Sequence, residues 1–176
     1  MTRSLAPAER LAELFSSFTR QAWRWECQGT YREPGESEAW NRWWDGETDD
    51  FAWLRPWLDQ VQEARRVGRE FARVRVFAEP PTEYQRWQLD VSPENIAAGE
   101  DLRVLTEGWA RTLALPEHDF WLFDDELVAV MRFENEQFAD LEVLTSRGQV
   151  DRYRRWKAIA WHHAMSFDRY VQLRSP

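Results

Sequence analysis

Arginine and carboxylate side chains are concentrated between residues 73 and 125, where their spacing could build a site for an anion. Arg73 and Arg75 alternate with Val74 and Val76, so both guanidiniums would share one face of a strand. Guanidinium groups bind carboxylates and phosphates through paired hydrogen bonds. Two arginines on one strand face are costly to bury unless carboxylates or a ligand anion meet them.

Further polar residues follow this strand and could converge with it if the strands are neighbours. The candidate ligand-binding residues are Arg73, Arg75, Tyr84, Arg86, Glu100, Arg103, Asp119 and Asp124. In one hypothesis, Arg75, Arg86 and Arg103 hold a phosphorylated or carboxylated small molecule. Tyr84, Glu100 or Asp119 would then handle protons. In the competing hypothesis, the arginines and carboxylates form a structural network that ties the strands together.

The histidines and the aspartate pair do not form a recognisable catalytic or metal site. His118 has no serine or cysteine partner at the spacing of a catalytic triad. His162 and His163 are adjacent on a predicted helix and point about 100° apart, so they do not face one ligand together. The pair Asp124 and Asp125 is more typical of a turn than of a metal site. The sequence therefore predicts no catalytic residue, no metal and no cofactor.

A second group of candidate residues consists of tryptophans at helical spacing. Trp40, Trp43 and Trp44 are candidate partner-binding residues, with ordinary core packing and stacking on bases or sugars as alternatives. The acidic tract at 45–50 follows them directly. It would repel a nucleic-acid backbone and suits a basic protein partner better.

The composition limits the classes of protein to consider. The 176 residues are 43% hydrophobic and 31% charged, which favours one folded domain. The net charge of -8 excludes a generic basic surface for nucleic acid. No apolar run approaches the ~20 residues of a membrane span, and residues 1–7 lack the apolar core of a signal peptide. We therefore expect a cytoplasmic protein without a membrane segment.

These side chains are positioned by helices and strands whose order along the chain predicts an α+β fold. We expect a mixed, mainly antiparallel sheet with helices packed on it and a helical N-terminal part. We expect one domain over 1–176, mainly helical over 1–70 and sheet-containing over 71–176. Thr82 is the expected N-cap of a helix, and Ser92-Pro93 is expected to begin a separate helical turn. The other expected elements are helices over 6–18, 36–45 and 56–68, strands over 22–27, 73–77 and 102–105, a hairpin over 120–133, a strand over 138–144 and one long helix over 150–170.

Taken together, these stretches resemble an actinobacterial family described only as a domain of unknown function. The resemblance rests on 73–76, on Glu79-Pro80 with Tyr84 and Arg86, on 99–103 and 119–124, and on Glu26, Tyr31, Glu36 and Trp57. It spans about residues 10–165. It implies cytoplasmic proteins that are often encoded beside helix-turn-helix regulators of the lambda-repressor type, and it brings no activity or catalytic residue with it.

Two hypotheses of function follow from the sequence. The first is a non-catalytic regulatory or interaction protein that partners a DNA-binding regulator of the helix-turn-helix type. The alternative is an enzyme or sensor that binds a small anionic ligand through the arginines. Direct nucleic-acid binding is not expected, because the chain is acidic.

Overall fold

The computed structural model describes residues 5–174. Residues 1–4, part of the N-terminal segment expected to lack a signal peptide, and residues 175–176 lie outside the described residues. The helices are α1 Pro7–Ser17, α2 Ser37–Trp44, α3 Arg55–Arg66, α4 Glu83–Ala98, α5 Glu107–Thr112, α6 Arg147–His163 and α7 Phe167–Arg174, with a 3-10 turn at Ala52–Leu54. The strands are β1 Gln21–Glu26, β2 Glu70–Phe77, β3 Asp101–Thr106, β4 Phe120–Phe123, β5 Leu127–Glu134, β6 Gln137–Leu144 and β7 Met165–Ser166.

One seven-stranded sheet organises the fold, in the order β6-β5-β4-β1-β2-β3-β7. The strands β1, β2 and β3 are parallel, and every other pairing is antiparallel. The predicted α+β class with a mixed, mainly antiparallel sheet is confirmed. The N-terminal part of the chain supplies β1, which lies between β4 and β2 at the centre of the sheet.

The two faces of the sheet differ in chemistry. The apolar face, which carries Trp23, Trp25, Val74 and Phe120, packs against α5 and α6. The arginine face, which carries Arg73 and its neighbours on β1 and β2, is covered by α1 to α4. Because β1 and β2 are buried on both faces, their charged residues must find partners inside the protein.

The helix α4 is continuous where the sequence predicts a break. Thr82 caps it as predicted, its hydroxyl accepting a backbone N–H from the first turn. The expected second start at Ser92 is wrong, because α4 continues through Pro93. Val91 and Asn95 are buried on either side of this proline. Packing of both halves holds the helix together against the lost backbone hydrogen bond.

The last part of the chain is interrupted where the sequence predicts one long helix over 150–170. The helix α6 ends at His163, and Met165 then pairs with Val104 as part of β7 before α7 begins. This pairing satisfies backbone groups at the edge of β3. The new direction of the chain places Phe167 and Tyr170 in a core cluster beside β3. None of the helices within residues 5–174 is both long and apolar enough to cross a membrane.

Candidate functional site

The parallel pairing of β1 and β2 places four charged residues side by side. Its register sets Arg24 opposite Arg73 and Glu26 opposite Arg75. Alternate side chains of a strand point to the same face, so all four lie on the arginine face. Residues 100 and 119, which directly precede β3 and β4, add two carboxylates to this group. We call the six residues the charge cluster: Arg24, Glu26, Arg73, Arg75, Glu100 and Asp119.

Glu26 is the centre of the charge cluster and contacts all three guanidiniums. Its Oε2 accepts a hydrogen bond of 2.6 Å from Nη1 of Arg73, and its Oε1 accepts one of 2.5 Å from Nε of Arg75. Nε of Arg24 lies 3.4 Å from Oε2. Burial alone would raise the pKa of Glu26, but the guanidiniums of Arg75, Arg24 and Arg73 hold it well below its ordinary value. Glu26 is therefore ionised at neutral pH.

Glu100 and Asp119 pair with the remaining donors of the cluster. Nε of Arg73 donates to Oε1 of Glu100 at 2.7 Å, and Nη2 of Arg24 donates to Oδ2 of Asp119 at 3.1 Å. The hydroxyl of Tyr31 donates to the same Oδ2 at 2.7 Å. Three guanidiniums thus face three carboxylates, and the formal charges cancel. This arrangement has the pairing expected of a structural network.

Helix α4 supplies neutral hydrogen-bond partners to the cluster. Nη1 of Arg75 donates to Oε1 of Gln88 and to Oγ of Ser92, both at 2.8 Å. Oγ of Ser92 donates in turn to the backbone carbonyl of Gln88 at 2.6 Å. These contacts fix the guanidinium of Arg75 between the sheet and α4.

The structure brings together four of the predicted ligand-binding residues, namely Arg73, Arg75, Glu100 and Asp119. Tyr84 lies nearby, but its hydroxyl donates to Oε2 of Glu36 at 3.0 Å. Arg86 does not join the cluster. It is exposed on the outer side of α4, where it pairs with Glu83 at 2.8 Å.

The two other predicted residues also lie elsewhere. Arg103 points to the opposite face of the sheet, because strand alternation separates it from its neighbours Leu102 and Val104. Its guanidinium lies 3.7 Å from the centroid of the Trp161 ring. Asp124 stands in a left-handed turn conformation and accepts backbone hydrogen bonds from residues 19, 20 and 21. These bonds hold the pKa of Asp124 below its ordinary value despite partial burial.

Sequence reasoning from chemistry missed Arg24, and it named Glu26, Tyr31 and Glu36 only through the family resemblance. The alternation of apolar and charged residues at 22–27 predicts a strand with Trp23, Trp25 and Cys27 pointing inward and the charged residues pointing outward. The central position of β1 buries both sets. One sequence signal could have identified Arg24 and Glu26. They are two residues of opposite charge, two positions apart, in a short predicted strand.

A groove of about 480 Å³ that opens to solvent lies on the arginine face, and we call it the inner cavity because the charge cluster forms its floor. Its floor includes the three guanidiniums and Trp121, and its walls come from α1, α3 and α4. Phe15 and Trp57 are among the aromatic side chains that line it. This volume is in the range of small-molecule sites.

An outer pocket of about 780 Å³ adjoins the inner cavity, and Glu33 and Glu36 line both. Tyr31, Trp40 and Tyr84 supply aromatic surface to the outer pocket. Burial raises the pKa of Glu36 to about 7, although the hydrogen bond from Tyr84 opposes this shift. Burial also raises the pKa of Glu33. Two carboxyl groups that have no guanidinium partner within residues 5–174 thus lie between the two spaces.

The three tryptophans of α2 have different environments. Trp40 lines the outer pocket and packs against Trp43 with ring centroids 5.4 Å apart. Trp43 donates its Nε1–H to Asp90 at 2.8 Å. Trp44 is 61% exposed, the largest exposure of any tryptophan described. The helix therefore presents one aromatic side chain to the pocket and one to solvent.

Comparison with known proteins adds a family but no activity. The family model described as a domain of unknown function (DUF6879) matches residues 9–172. No curated protein matches the chain. Within residues 5–174, no group of three or more histidine, cysteine, aspartate or glutamate side chains is arranged to hold a metal ion.

Proposed function

This chain belongs to the family described as a domain of unknown function (DUF6879), and we propose that it is a non-catalytic interaction protein that docks a basic segment of a protein partner. The docking site is the outer pocket together with the exposed side of α2. The proposal draws on the charge and the aromatic lining of this surface rather than on the charge cluster, whose charges already cancel.

The lining of the outer pocket is the observation that carries the proposal. Its charged side chains are four glutamates and one arginine: Glu33, Glu36, Glu83, Glu136 and Arg32. Glu136 pairs with this arginine at 2.7 Å and Glu83 pairs with Arg86 at 2.8 Å, so Glu33 and Glu36 are the two of the four that have no ion pair within residues 5–174. Aromatic rings beside carboxylates attract ammonium and guanidinium groups by cation–π and Coulomb interactions. A lysine or arginine side chain of a partner is therefore complementary to this pocket.

The surface next to the pocket has the same character. Trp44 projects into solvent at the end of α2, Asp45 and Glu47 are exposed directly after it, and Glu38 is exposed in the first turn of the helix. Tryptophan is enriched among the residues that contribute most to protein–protein binding. The exposed tryptophan and the surrounding acids extend the complementarity from one basic side chain to a basic segment.

A DNA-binding regulator of the helix-turn-helix type is the partner that we propose. Regulators of this kind carry the basic surface that binds DNA, which supplies the required charge. The family resemblance implies actinobacterial proteins that are often encoded beside such regulators, and this expectation favours the same partner and a cytoplasmic location. The acidic surface around Trp44 opposes direct binding of a nucleic-acid backbone by this chain.

A titration of the full chain with a purified helix-turn-helix regulator of the lambda-repressor type, chosen from the same genome, tests the proposal. We expect binding that weakens as salt is added, and a loss of at least about tenfold in affinity for Trp44→Ala combined with Trp40→Ala. The matched control is Trp109→Ala, which removes a tryptophan of similar exposure, 54%, from α5 on the other side of the sheet. Absence of binding by the natural chain, or an equal loss for Trp109→Ala, would overturn the proposal.

The alternative function, an enzyme or sensor for a small anion on the arginines, has less support from the geometry. Every guanidinium of the charge cluster faces a carboxylate, and the nearby Glu33 and Glu36 would repel an anion. Arg86 is exposed on the outer side of α4 and Arg103 lies on the opposite face of the sheet, so neither completes a clamp with the cluster.

A further inference from the structure

We propose that a surface pocket between β5, β6 and the first two turns of α6 binds the phosphate group of a small molecule. The pocket has a volume of about 300 Å³, at the lower end of small-molecule sites. It shares no polar side chain with the docking surface or the charge cluster, so the inference is independent of the partner proposed above. The polar side chains that line it are His118, Arg132, Glu142, Gln149, Arg152 and Tyr153.

Strand alternation and helix geometry bring the two arginines of this pocket together. On β5, Arg132 follows Val130 on the same face, and Val130 belongs to the apolar core under α6. Arg132 therefore lies where this face continues beyond the core, at the margin of the sheet. Arg152 comes from the second turn of α6, directly before the buried Tyr153. Burial raises the pKa of Tyr153, and both guanidiniums lie close enough to its hydroxyl to oppose that rise.

One of the two guanidiniums has no carboxylate partner. Nη2 of Arg132 donates to Oε2 of Glu142 at 2.7 Å, so these two charges cancel. Arg152 is exposed, and its guanidinium forms no ion pair or hydrogen bond with another part of the described chain. The pocket therefore carries one uncompensated positive charge, in a chain whose net charge is -8. Such a cation is complementary to an anion.

The start of α6 adds further donors to the pocket. Oγ of Ser146, the N-cap, donates to Oε1 of Gln149 and makes no capping bond to the backbone of the first turn. The amide nitrogen of Gln149 and the first backbone N–H groups of α6 thus remain available to an acceptor. The positive end of the helix dipole favours an anion here, and α6 contains five basic residues against one acidic residue.

The pair of His118 and Tyr153 couples anion binding to a proton. Nε2 of His118 lies 2.9 Å from the hydroxyl oxygen of Tyr153. Burial lowers the pKa of His118, although Asp119 opposes this shift, so the imidazole is uncharged at neutral pH. A protonated imidazole donates from Nε2 to the hydroxyl oxygen, which frees the hydroxyl hydrogen for an anion. The charged groups around this pair are Asp119, Arg132, Glu142 and Arg152.

A phosphate monoester fits these donors better than a carboxylate does. It presents three acceptor oxygens and up to two negative charges near neutral pH. Gln149 is three residues before Arg152 and four before Tyr153, so all three side chains lie on one side of α6. Their amide, guanidinium and hydroxyl hydrogens can each reach a different phosphate oxygen. A carboxylate, with two oxygens and one charge, would leave part of this wall without an acceptor.

Nuclear magnetic resonance titrations of the full chain with ethyl phosphate and diethyl phosphate test the proposal. At neutral pH and constant salt, we expect ethyl phosphate, a monoester, to bind at least about tenfold more tightly than the singly charged diester. The ring signals of His118 should shift during the titration. Those of His163, which stacks on Trp109 at the other end of α6, should stay in place. Tighter binding of the diester would indicate the phosphates of a nucleic acid or a lipid and would overturn the proposal.

Two arginine variants assign the binding to this pocket. Arg152→Gln removes the unpaired cation, and Arg155→Gln removes an exposed arginine of α6 that lines a different pocket. We expect the affinity for ethyl phosphate to fall at least about tenfold in Arg152→Gln and less than about twofold in Arg155→Gln. Both side chains are exposed, so urea unfolding should show both variants folded. Absence of saturable binding by the natural chain, or equal losses in the two variants, would overturn the proposal.

Sulfate isolates the part played by His118, because it keeps two negative charges between pH 5 and pH 8. We expect its affinity to increase as the pH falls through the pKa of His118, and we expect bound sulfate to raise that pKa. His118→Gln should remove most of this pH dependence. A pH dependence of equal size in His118→Gln would show that the anion does not bind beside the pair and would contradict the assigned pocket.

Discussion

The two faces of the central sheet are built from the same strands but hold the molecule together in different ways. On the apolar face, Trp23, Trp25 and Leu122 pack against α6 in a continuous core. On the arginine face, an apolar core also packs against the helices, but the charge cluster is set into this core and open space remains above the cluster. Apolar burial stabilises in proportion to area, whereas buried ion pairs roughly balance their own desolvation.

This difference between the two faces assigns stability mainly to one face and binding mainly to the other. The apolar face has the composition of a region that only needs to be packed, and its helices close over it. The arginine face keeps polar groups and space where a fully packed core would give a more stable protein. We infer that the second face is where this fold gives up stability for recognition, and the following predictions test that contrast.

The largest expected effect belongs to the centre of the charge cluster. Glu26→Ala should lower the free energy of unfolding by about 3–5 kcal/mol, because it leaves three buried guanidiniums with two carboxylates. Urea unfolding at neutral pH measures this loss. A double variant, Glu26→Leu with Arg75→Met, should recover much of it by removing charges of both signs. Equal losses in the single and double variants would contradict the network interpretation.

The pH dependence of the same residue sharpens the contrast. The folded-state pKa of Glu26 is lowered, so its stabilisation is present above the pKa of the unfolded chain and is lost as the pH falls below about 4.5. We expect the natural chain to lose stability on acidification more steeply than Glu26→Ala. Parallel unfolding curves for the two proteins between pH 3 and pH 6 would be inconsistent with this assignment.

A truncation on the apolar face should cost somewhat less. Leu122 is 1% exposed in the core beneath α6. Leu122→Ala should lower the free energy of unfolding by about 2–4 kcal/mol through lost burial and a residual cavity. Because no charge is removed, its stability should follow the pH profile of the natural chain. A profile as flat as that of Glu26→Ala would show that the two faces are not independent.

A smaller effect of opposite sign is expected at the wall between the two spaces. The pKa of Glu36 is about 7 in the folded chain against an ordinary 4.5, so ionisation lowers stability as the pH rises through this interval. Glu36→Gln should therefore be more stable than the natural chain by about 1–2 kcal/mol at pH 8 and equal to it near pH 4. Thermal unfolding at both pH values measures the gain. If Glu36→Gln were less stable than the natural chain at pH 8, the ionised Glu36 would not be destabilising and the prediction would be wrong.

The smallest expected effect concerns Arg103, a charged residue on the apolar face. Arg103→Ala should lower the free energy of unfolding by about 1 kcal/mol, since its guanidinium stacks on Trp161. Arg86→Ala provides the matched comparison, because this exposed arginine pairs with a surface glutamate of its own helix. That variant should stay within about 0.5 kcal/mol of the natural chain.

The sequence predicts local elements from their residue patterns, but it does not predict which strands and which charged residues become neighbours. Strict alternation predicts β2 and the shared face of Arg73 and Arg75, and both are confirmed. The partners of these arginines depend on which strand lies beside β2 and in what register. Glu26 is 47 residues away from Arg73 in the chain, and no local pattern specifies that distance.

The two errors in the helices have a related cause. Pro93 and Ser92 are local signals for a break, but tertiary packing of α4 overrides them. The residues 164–167 contain no glycine or proline, and the chain still leaves the helix there to pair with β3. The same cause explains why three candidate residues lie away from the charge cluster, namely Arg86, Arg103 and Asp124. Which side of a helix or strand faces the cluster, and where the element ends, depends on the elements packed beside it.

The short strand β7 has a consequence for the behaviour of the protein at high concentration. Its two residues occupy the outer edge of β3, which would otherwise present open hydrogen-bonding groups to another molecule. At the opposite margin of the sheet, the exposed side chains of Asp140 and Glu142 on β6 are charged, and Glu142 pairs with Arg132 of β5 at 2.7 Å. Charged side chains along an edge strand disfavour pairing with another strand. Both margins thus discourage sheet-to-sheet aggregation, which a protein with so many aromatic residues would otherwise risk.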